Sequence, residues 1–129
     1  MSDKFTVEII TPDKSILKAE VNEVNIPSYE GQMGILKDHI PLITFLRPGL
    51  IITQGEKKRI FYAEEGTVEF SDNNLLILTS TARDLTNLNQ SSIENLLDQA
   101  ENELNEVNLS DKEKYLLSYK ISTLKEISQ

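Results

Sequence analysis

Residues 30 to 49 read EGQMGILKDHIPLITFLRPG, and the reading of this stretch decides the fold. It holds three of the chain's five glycines, two of its four prolines and its only histidine. Its apolar residues keep neither the two-residue alternation of a strand nor the three-to-four spacing of a helix along its length. Gly31 and Gly34 are expected to supply positive φ, so that the chain turns while Met33 and Ile35 pack inward. Pro41 disfavours the helical region for Ile40, so HIPLITFL (39–46) leaves the loop as a strand. Arg47-Pro48-Gly49 has the form of a type II turn, with proline fixing one φ and glycine supplying a positive one. The stretch therefore reads as a compact loop feeding a strand and a turn. His39 either bonds to nearby backbone or sits on an exposed edge that meets a partner.

Short strands surround it. FTVEII (5–10) puts Phe5, Val7 and Ile9 on one face, and VNEVNIP (21–27) does the same with Val24 and Ile26 before Pro27 ends it. LIITQ (50–54), RIFYA (59–63), TVEF (67–70) and LLILTS (75–80) are rich in β-branched and aromatic residues. Gln54-Gly55-Glu56 and Asp72-Asn73-Asn74 are turn-formers between them. Strands this short, with turns this close and no helical pattern between them, predict an antiparallel sandwich or barrel.

Past residue 90 the pattern changes, and neither glycine nor proline occurs from 91 to 129. Ser91 followed by Glu94 has the form of a capping box, and Ile93, Leu96, Leu97, Ala100 and Leu104 make an apolar stripe. Ser110 and Glu113 repeat the box, and Leu117, Ile121, Leu124 and Ile127 repeat the stripe, with NEVNLS (105–110) as the turn between. Isolated helices of this length are marginal in water, so the stripes are expected to pack together as a hairpin. The domains are thus 1–86, a β domain, and 87–129, a helical hairpin. The first helical segment carries Glu94, Asp98, Glu101, Glu103 and Glu106 and no basic residue, whereas the second mixes both signs. Such faces serve either solubility or the docking of an arm on a basic partner.

Composition closes off several functions. The formal net charge of −8 argues against nucleic acid or anionic lipid as the main partner. With no cysteine there is neither a disulfide nor a thiolate metal site, and one histidine cannot build a multi-histidine zinc centre. No apolar run approaches the roughly 18 residues of a membrane span, and the opening residues lack the pattern of a signal peptide. Phosphate-binding loops, dinucleotide fingerprints and nucleophile elbows are all missing. Glu64 and Glu65 are adjacent in a strand and would face opposite ways. No catalytic constellation emerges, and no cofactor is expected.

The stretch EVNIPSYEGQMGILKDHIPLITFLRPG (23–49) resembles the signature of the epsilon-subunit family of F-type ATP synthases. The positions that match are Glu30, Gly31, Gly34, Ile35, His39, Pro41, Leu42, Thr44, Pro48 and Gly49, and the resemblance extends over the whole chain. It implies a flattened antiparallel β-sandwich of ten strands followed by a two-helix antiparallel hairpin. It also implies a non-catalytic rotor subunit, peripheral to the cytoplasmic face of a bacterial inner membrane. There the sandwich binds the gamma subunit and the c-ring, and the hairpin reaches the alpha and beta subunits. Glu30, Gln32, Met33 and His39 are the partner contacts it implies, and Asp111 and Lys114 are weak nucleotide contacts. Those two matter to an alternative reading, an ATP-sensing module whose hairpin closes over nucleotide.

Three departures from the family pattern stand out. Lys37-Asp38 replaces the usual Pro-Gly before the histidine, and Gln32 stands where relatives are often acidic. The purely acidic first helix would be repelled by the acidic segment of beta that inhibitory hairpins engage. In the nucleotide motif Lys114 replaces an arginine, and lysine lacks the planar fork. Feeble inhibition and weak or absent ATP binding are the expectations.

Overall fold

The computed structural model describes residues 3–87, 89–106 and 108–127, Ile127 by its backbone alone. Val107 of the expected turn, and the Ile127 side chain of the expected stripe, lie outside the described residues. The chain divides into two compact units, residues 1–86 and 87–129.

Alternation builds the first unit. Strands β1 (Phe5–Ile10), β2 (Ser15–Val21), β3 (Glu23–Ser28), β4 (Gly31–Leu36) and β5 (Leu42–Leu46) are followed by β6 (Gly49–Gln54), β7 (Lys58–Ala63), β8 (Gly66–Ser71), β9 (Asn74–Thr79) and β10 (Ala82–Asp84). They pair in the order β10-β7-β6-β3-β5-β8-β9-β1-β2, with β4 on β3. Nearly all pairs are antiparallel, while β1 and β9 run parallel, Val7 opposite Leu75 and Ile9 opposite Ile77. Strands β3 and β5 share the single pair Ser28–Leu46, where the ribbon passes from one layer of the sandwich to the other. Between the layers Val7, Ile9, Val24, Ile26, Ile35, Ile51, Val68 and Ile77 are fully buried, with Phe61 and Phe70 beside them. β-Branched side chains on alternate positions fill such a layer with little rotamer freedom to lose.

The opening stretch is more regular than its sequence suggests. Residues 31–36 form β4, paired residue for residue with β3 from Ser28–Gly31 to Glu23–Leu36. Alternation is present there, Ile35 inward with Met33 against the core, but glycines at 31 and 34 interrupt the apolar signal. Gly31 has φ of +122°, as expected. Gly34 does not, and lies in the strand opposite Asn25. Gly49 also lacks positive φ and opens β6, where an added Cβ would stand 2.8 Å from Pro27 Cβ. Close approach, not turn geometry, demands glycine there. Pro27 itself sits inside β3, which runs on to Ser28.

Asp38 takes φ of +66°, the conformation that glycine at this place would adopt. His39 N–H donates to the Leu36 carbonyl at 3.1 Å, closing the turn. The Asp38 N–H donates to Asn73 Oδ1 at 2.7 Å, and Asn73 Nδ2 donates back to Asp38 Oδ1 at 3.0 Å. Asp72 and Asn73, at φ of +49° and +58°, make the two-residue hairpin between β8 and β9. The departure at Lys37-Asp38 is thus absorbed by an aspartate that tolerates the left-handed region and ties two turns together.

The second unit comprises α1 (Gln90–Leu104) and α2 (Asp111–Ile127). Asn89, not Ser91, caps α1, its Oδ1 accepting from Ser92 N–H at 2.8 Å. An asparagine just upstream competes equally well for the cap and lets the helix start two residues sooner. The box at α2 is complete. Glu113 N–H donates to Ser110 Oγ at 3.1 Å, and Ser110 N–H donates to Glu113 Oε1 at 3.3 Å. Ala100, Leu117 and Ile121 form the seam, flanked by Leu97, Leu104 and Leu109. Lys125 Nζ lies 3.9 Å from Glu101 Oε1 with both side chains well exposed. Such a pair adds little to stability.

In the sandwich, Tyr62 is buried, and its hydroxyl has no hydrogen-bond partner among the described residues. Burial, and secondarily the Glu64 carboxylate, raise its pKa well above the ordinary tyrosine value. The unfolded chain gives up this proton above pH about 10 while the folded chain keeps it, so stability falls as pH rises past that point. Tyr62→Phe is expected to gain about 1 kcal/mol at neutral pH, the cost of an unmet hydroxyl, and to flatten the decline above pH 10. Urea unfolding at pH 7 and in steps above pH 10 checks both.

Candidate functional site

Strand β5 has apolar residues at both phases. Thr44 and Leu46 point inward, so alternation forces Ile43 and Phe45 outward, where they are 77% and 58% exposed. Opposite Phe45 on β8 stands Thr67, opposite Thr67 on β9 stands Leu78, and opposite Leu78 on β1 stands Ile10. At ~4.8 Å per strand this row runs about 14 Å across the outer face. A second row holds Ile43, Glu69 and Leu76. Two more exposed apolar residues flank β5, Tyr29 and Ile40. The Tyr29 N–H donates to the Phe45 carbonyl at 3.2 Å, which sets the β3–β4 turn beside this end of the strand. Exposed apolar side chains gathered on one sheet face, here with Thr67 and Glu69 among them, suit a docking face.

The residues singled out from sequence distribute around this face. Glu30 is exposed on the β3–β4 turn, its N–H held by Ser28 Oγ at 3.2 Å, while Ser28 Oγ donates to the Gly31 carbonyl at 2.7 Å. Gln32 is exposed on β4, and Met33, half-buried, packs on the core. His39 lies beyond the far end of β4, six residues or about 20 Å of strand from the Glu30 turn. Its ring meets Phe70 edge-on with centroids 5.9 Å apart, and Nδ1 lies 2.7 Å from the Ile40 carbonyl. Glu30 and His39 therefore frame opposite ends of the segment. Ile43 and Phe45, between them, went unremarked in the sequence. Their signal was there: LITFL is apolar at every position but Thr44, so one face of the strand had to expose an apolar pair.

Asp111 and Lys114 occupy the first turn of α2, both exposed. The Lys114 N–H donates to the Ser110 carbonyl at 3.0 Å as part of the helix start. Among the described residues no group of three or more acidic or histidine side chains is placed to hold a metal ion. No described helix is long and apolar enough to cross a membrane.

Comparison with known proteins fits the fold. The family profile for the ATP synthase delta/epsilon chain β-sandwich domain matches residues 4–84. The ATP synthase epsilon chain of Pelagibacter ubique is 44% identical over 130 residues, covering 99% of this chain and 100% of that one. That of Leptospira interrogans is 40% identical over 79 residues, 60% of this chain and 62% of the other. Among solved structures, a chain of the Euglena gracilis mitochondrial ATP synthase (OSCP/F1/c-ring) superposes with TM-score 0.73 at 19% identity, covering 98% of this chain and 81% of that one. A chain of the Tetrahymena thermophila central stalk and c-ring superposes with TM-score 0.68 at 15% identity, covering 96% of each. At those identities the structural likeness speaks for the fold alone. The sandwich profile and the full-length relative together show that the chain belongs to the family of ATP synthase epsilon chains, a non-catalytic subunit of the complex.

Proposed function

We propose that the chain works in the central stalk, coupling rotation of the c-ring to the gamma subunit, with the outer face of β5, β8 and β9 as its gamma-docking surface. The observation that carries this is the row Phe45–Thr67–Leu78 with Ile43 beside it, exposed apolar side chains held on hydrogen-bonded strands. Torque passes through a contact only if the contact does not yield, and side chains anchored on hydrogen-bonded strands meet that condition. Glu30 and Gln32, on the adjoining turn and strand, are assigned to the ring and gamma rim, and His39 and Met33 to holding the segment in shape. The subunit is held at the cytoplasmic face of a bacterial inner membrane through the ring. Tagging the chain and purifying from gently solubilised membranes tests this. Gamma, c-ring and the alpha-beta head recovered in fixed proportion support it, and recovery of the chain alone refutes it.

For the hairpin, we infer at most feeble restraint of ATP hydrolysis. Helix α1 presents Glu94, Asp98, Glu101 and Glu103 with no cation to meet an acidic partner segment. Asp111 and Lys114 are three residues apart on one exposed helix turn. Lysine there binds a phosphate as a point charge without arginine's two-pronged geometry. Isothermal titration with ATP is expected to show no micromolar binding to the hairpin, and such an affinity, lost in Lys114→Ala, would favour the sensing module.

A further inference from the structure

At the end of the sandwich where β2 finishes and β6 turns into β7, the two layers leave a cleft of about 390 Å³. Lys4, Lys57 and Arg59 line it, along with Glu20, Glu56 and Thr53. Three cations against two carboxylates make this a positive spot on a chain whose net charge is −8. Thr53 is 1% exposed, yet its hydroxyl has no hydrogen-bond partner among the described residues. Buried hydroxyls left unmet are costly and uncommon, and one beside a cluster of cations calls for an explanation. Arg59 stands directly across from Thr53 in the β6–β7 pair, so the guanidinium and the hydroxyl belong to one register position. Gly55 completes the wall, since a Cβ there would lie 2.9 Å from the Glu20 carbonyl and push β2 away from the turn.

We infer that this cleft binds a small phosphate-class oxyanion. Its oxygens would accept from the Thr53 hydroxyl and from the forked Arg59 guanidinium, with Lys4 and Lys57 supplying charge around it. The volume falls at the lower end of ligand sites, about 300–1,000 Å³. Among the described residues no aromatic ring lines it, and Ala19 and Val21 are the only apolar side chains, so none of them stacks a nucleobase. Recognition stops at the phosphoryl group. Glu20 and Glu56 hold the affinity down and favour a protonatable anion over a fixed dianion. The site shares no residue with the apolar face of β5, β8 and β9, and it does not depend on the rotor reading.

The test is an amide-resonance titration of the full chain with inorganic phosphate, ionic strength held constant with chloride. Saturable shifts at Gly55, Lys57 and Arg59 are expected, with dissociation in the millimolar range. Thr53→Val and Arg59→Gln are each expected to weaken binding at least tenfold. Thr53→Val removes only an unmet hydroxyl and is expected to melt no lower than the parent, so its loss of binding cannot come from unfolding. ATP forms a second arm. Saturation by both ligands assigns recognition to the phosphoryl group wherever it is carried, and saturation by phosphate alone assigns it to the free anion. Linear, non-saturating shifts, or equal binding by both variants, overturn the site.

Discussion

Serine in place of both Ile43 and Phe45 is expected to leave the sandwich folded and to abolish the chain's recovery with gamma and the c-ring. Both side chains point away from the core on β5, so their removal opens no cavity. Thr44 and Leu46, the inward residues of the strand, are untouched. Full burial of an isoleucine or a phenylalanine is worth about 1.5–3 kcal/mol each. Losing both from a docking face therefore weakens association by about 3–6 kcal/mol, or roughly two to four orders of magnitude. Gel filtration with purified gamma, alongside a melting curve of the free variant, separates the effects. An unchanged melt with lost co-elution is the expected pair of results. Intact co-elution would move the interface off this face and onto the Glu30 turn or the His39 end, whose substitutions would then be made in turn.

Legibility in the sequence followed how many residues carried each signal. Strands β1, β6, β7, β8 and β9 were plain because each shows apolar alternation or a dense β-branched run with a turn at its end. Strand β4 reads as loop because two of its six positions are glycine, which supplies no side chain to mark a phase. Its pairing with β3 is a long-range fact about backbone hydrogen bonds, and no local pattern encodes it. Residue type alone suggests positive φ at glycines 34 and 49, whereas the chain uses it at Gly31, Asp38, Asp72 and Asn73. Glycine is required wherever a Cβ is forbidden, and crowding by a distant strand forbids it as firmly as a dihedral angle does. The Ser110 box was legible because both partners lie within four residues. The α1 cap was missed by two residues because Asn89 offers an equally good acceptor. For the site, the 30–49 segment was found by composition, but the outward pair at its centre required knowing which phase of β5 faces the core.

Crowding of that kind underlies the second large effect. Gly66→Ala is expected to destabilise the sandwich by about 3 kcal/mol, the top of the usual range for overpacking. Gly66 opens β8 between Leu46 of β5 and Thr79 of β9. A Cβ built on it would fall onto the Leu78 carbonyl and stand 2.9 Å from the Thr79 Cα. All of these are backbone atoms of a paired strand, so no side-chain rotation relieves the clash. Thr79 cannot slide aside, because its Oγ1 sits 2.6 Å from the Glu65 carbonyl and 3.0 Å from that of Thr81. Relief requires that β8 and β9 part, which breaks ladder bonds. At 4–8 °C per kcal/mol for a domain of this size, the melting midpoint drops by about 12–24 °C. Gly31→Ala is the control that separates space from conformation. Its φ of +122° disfavours any side chain, but no atom of the described residues lies within 4 Å of the added Cβ. Strain without a clash costs about 1–3 kcal/mol, and the loss is confined to a surface turn. A Gly66→Ala melt no lower than that of Gly31→Ala would sink the crowding account. Because Thr67 follows Gly66 and sits between Phe45 and Leu78, parting these strands also warps the docking row. A stability defect at Gly66 is thus expected to appear as a docking defect too, and only variants that melt normally can assign residues to the interface.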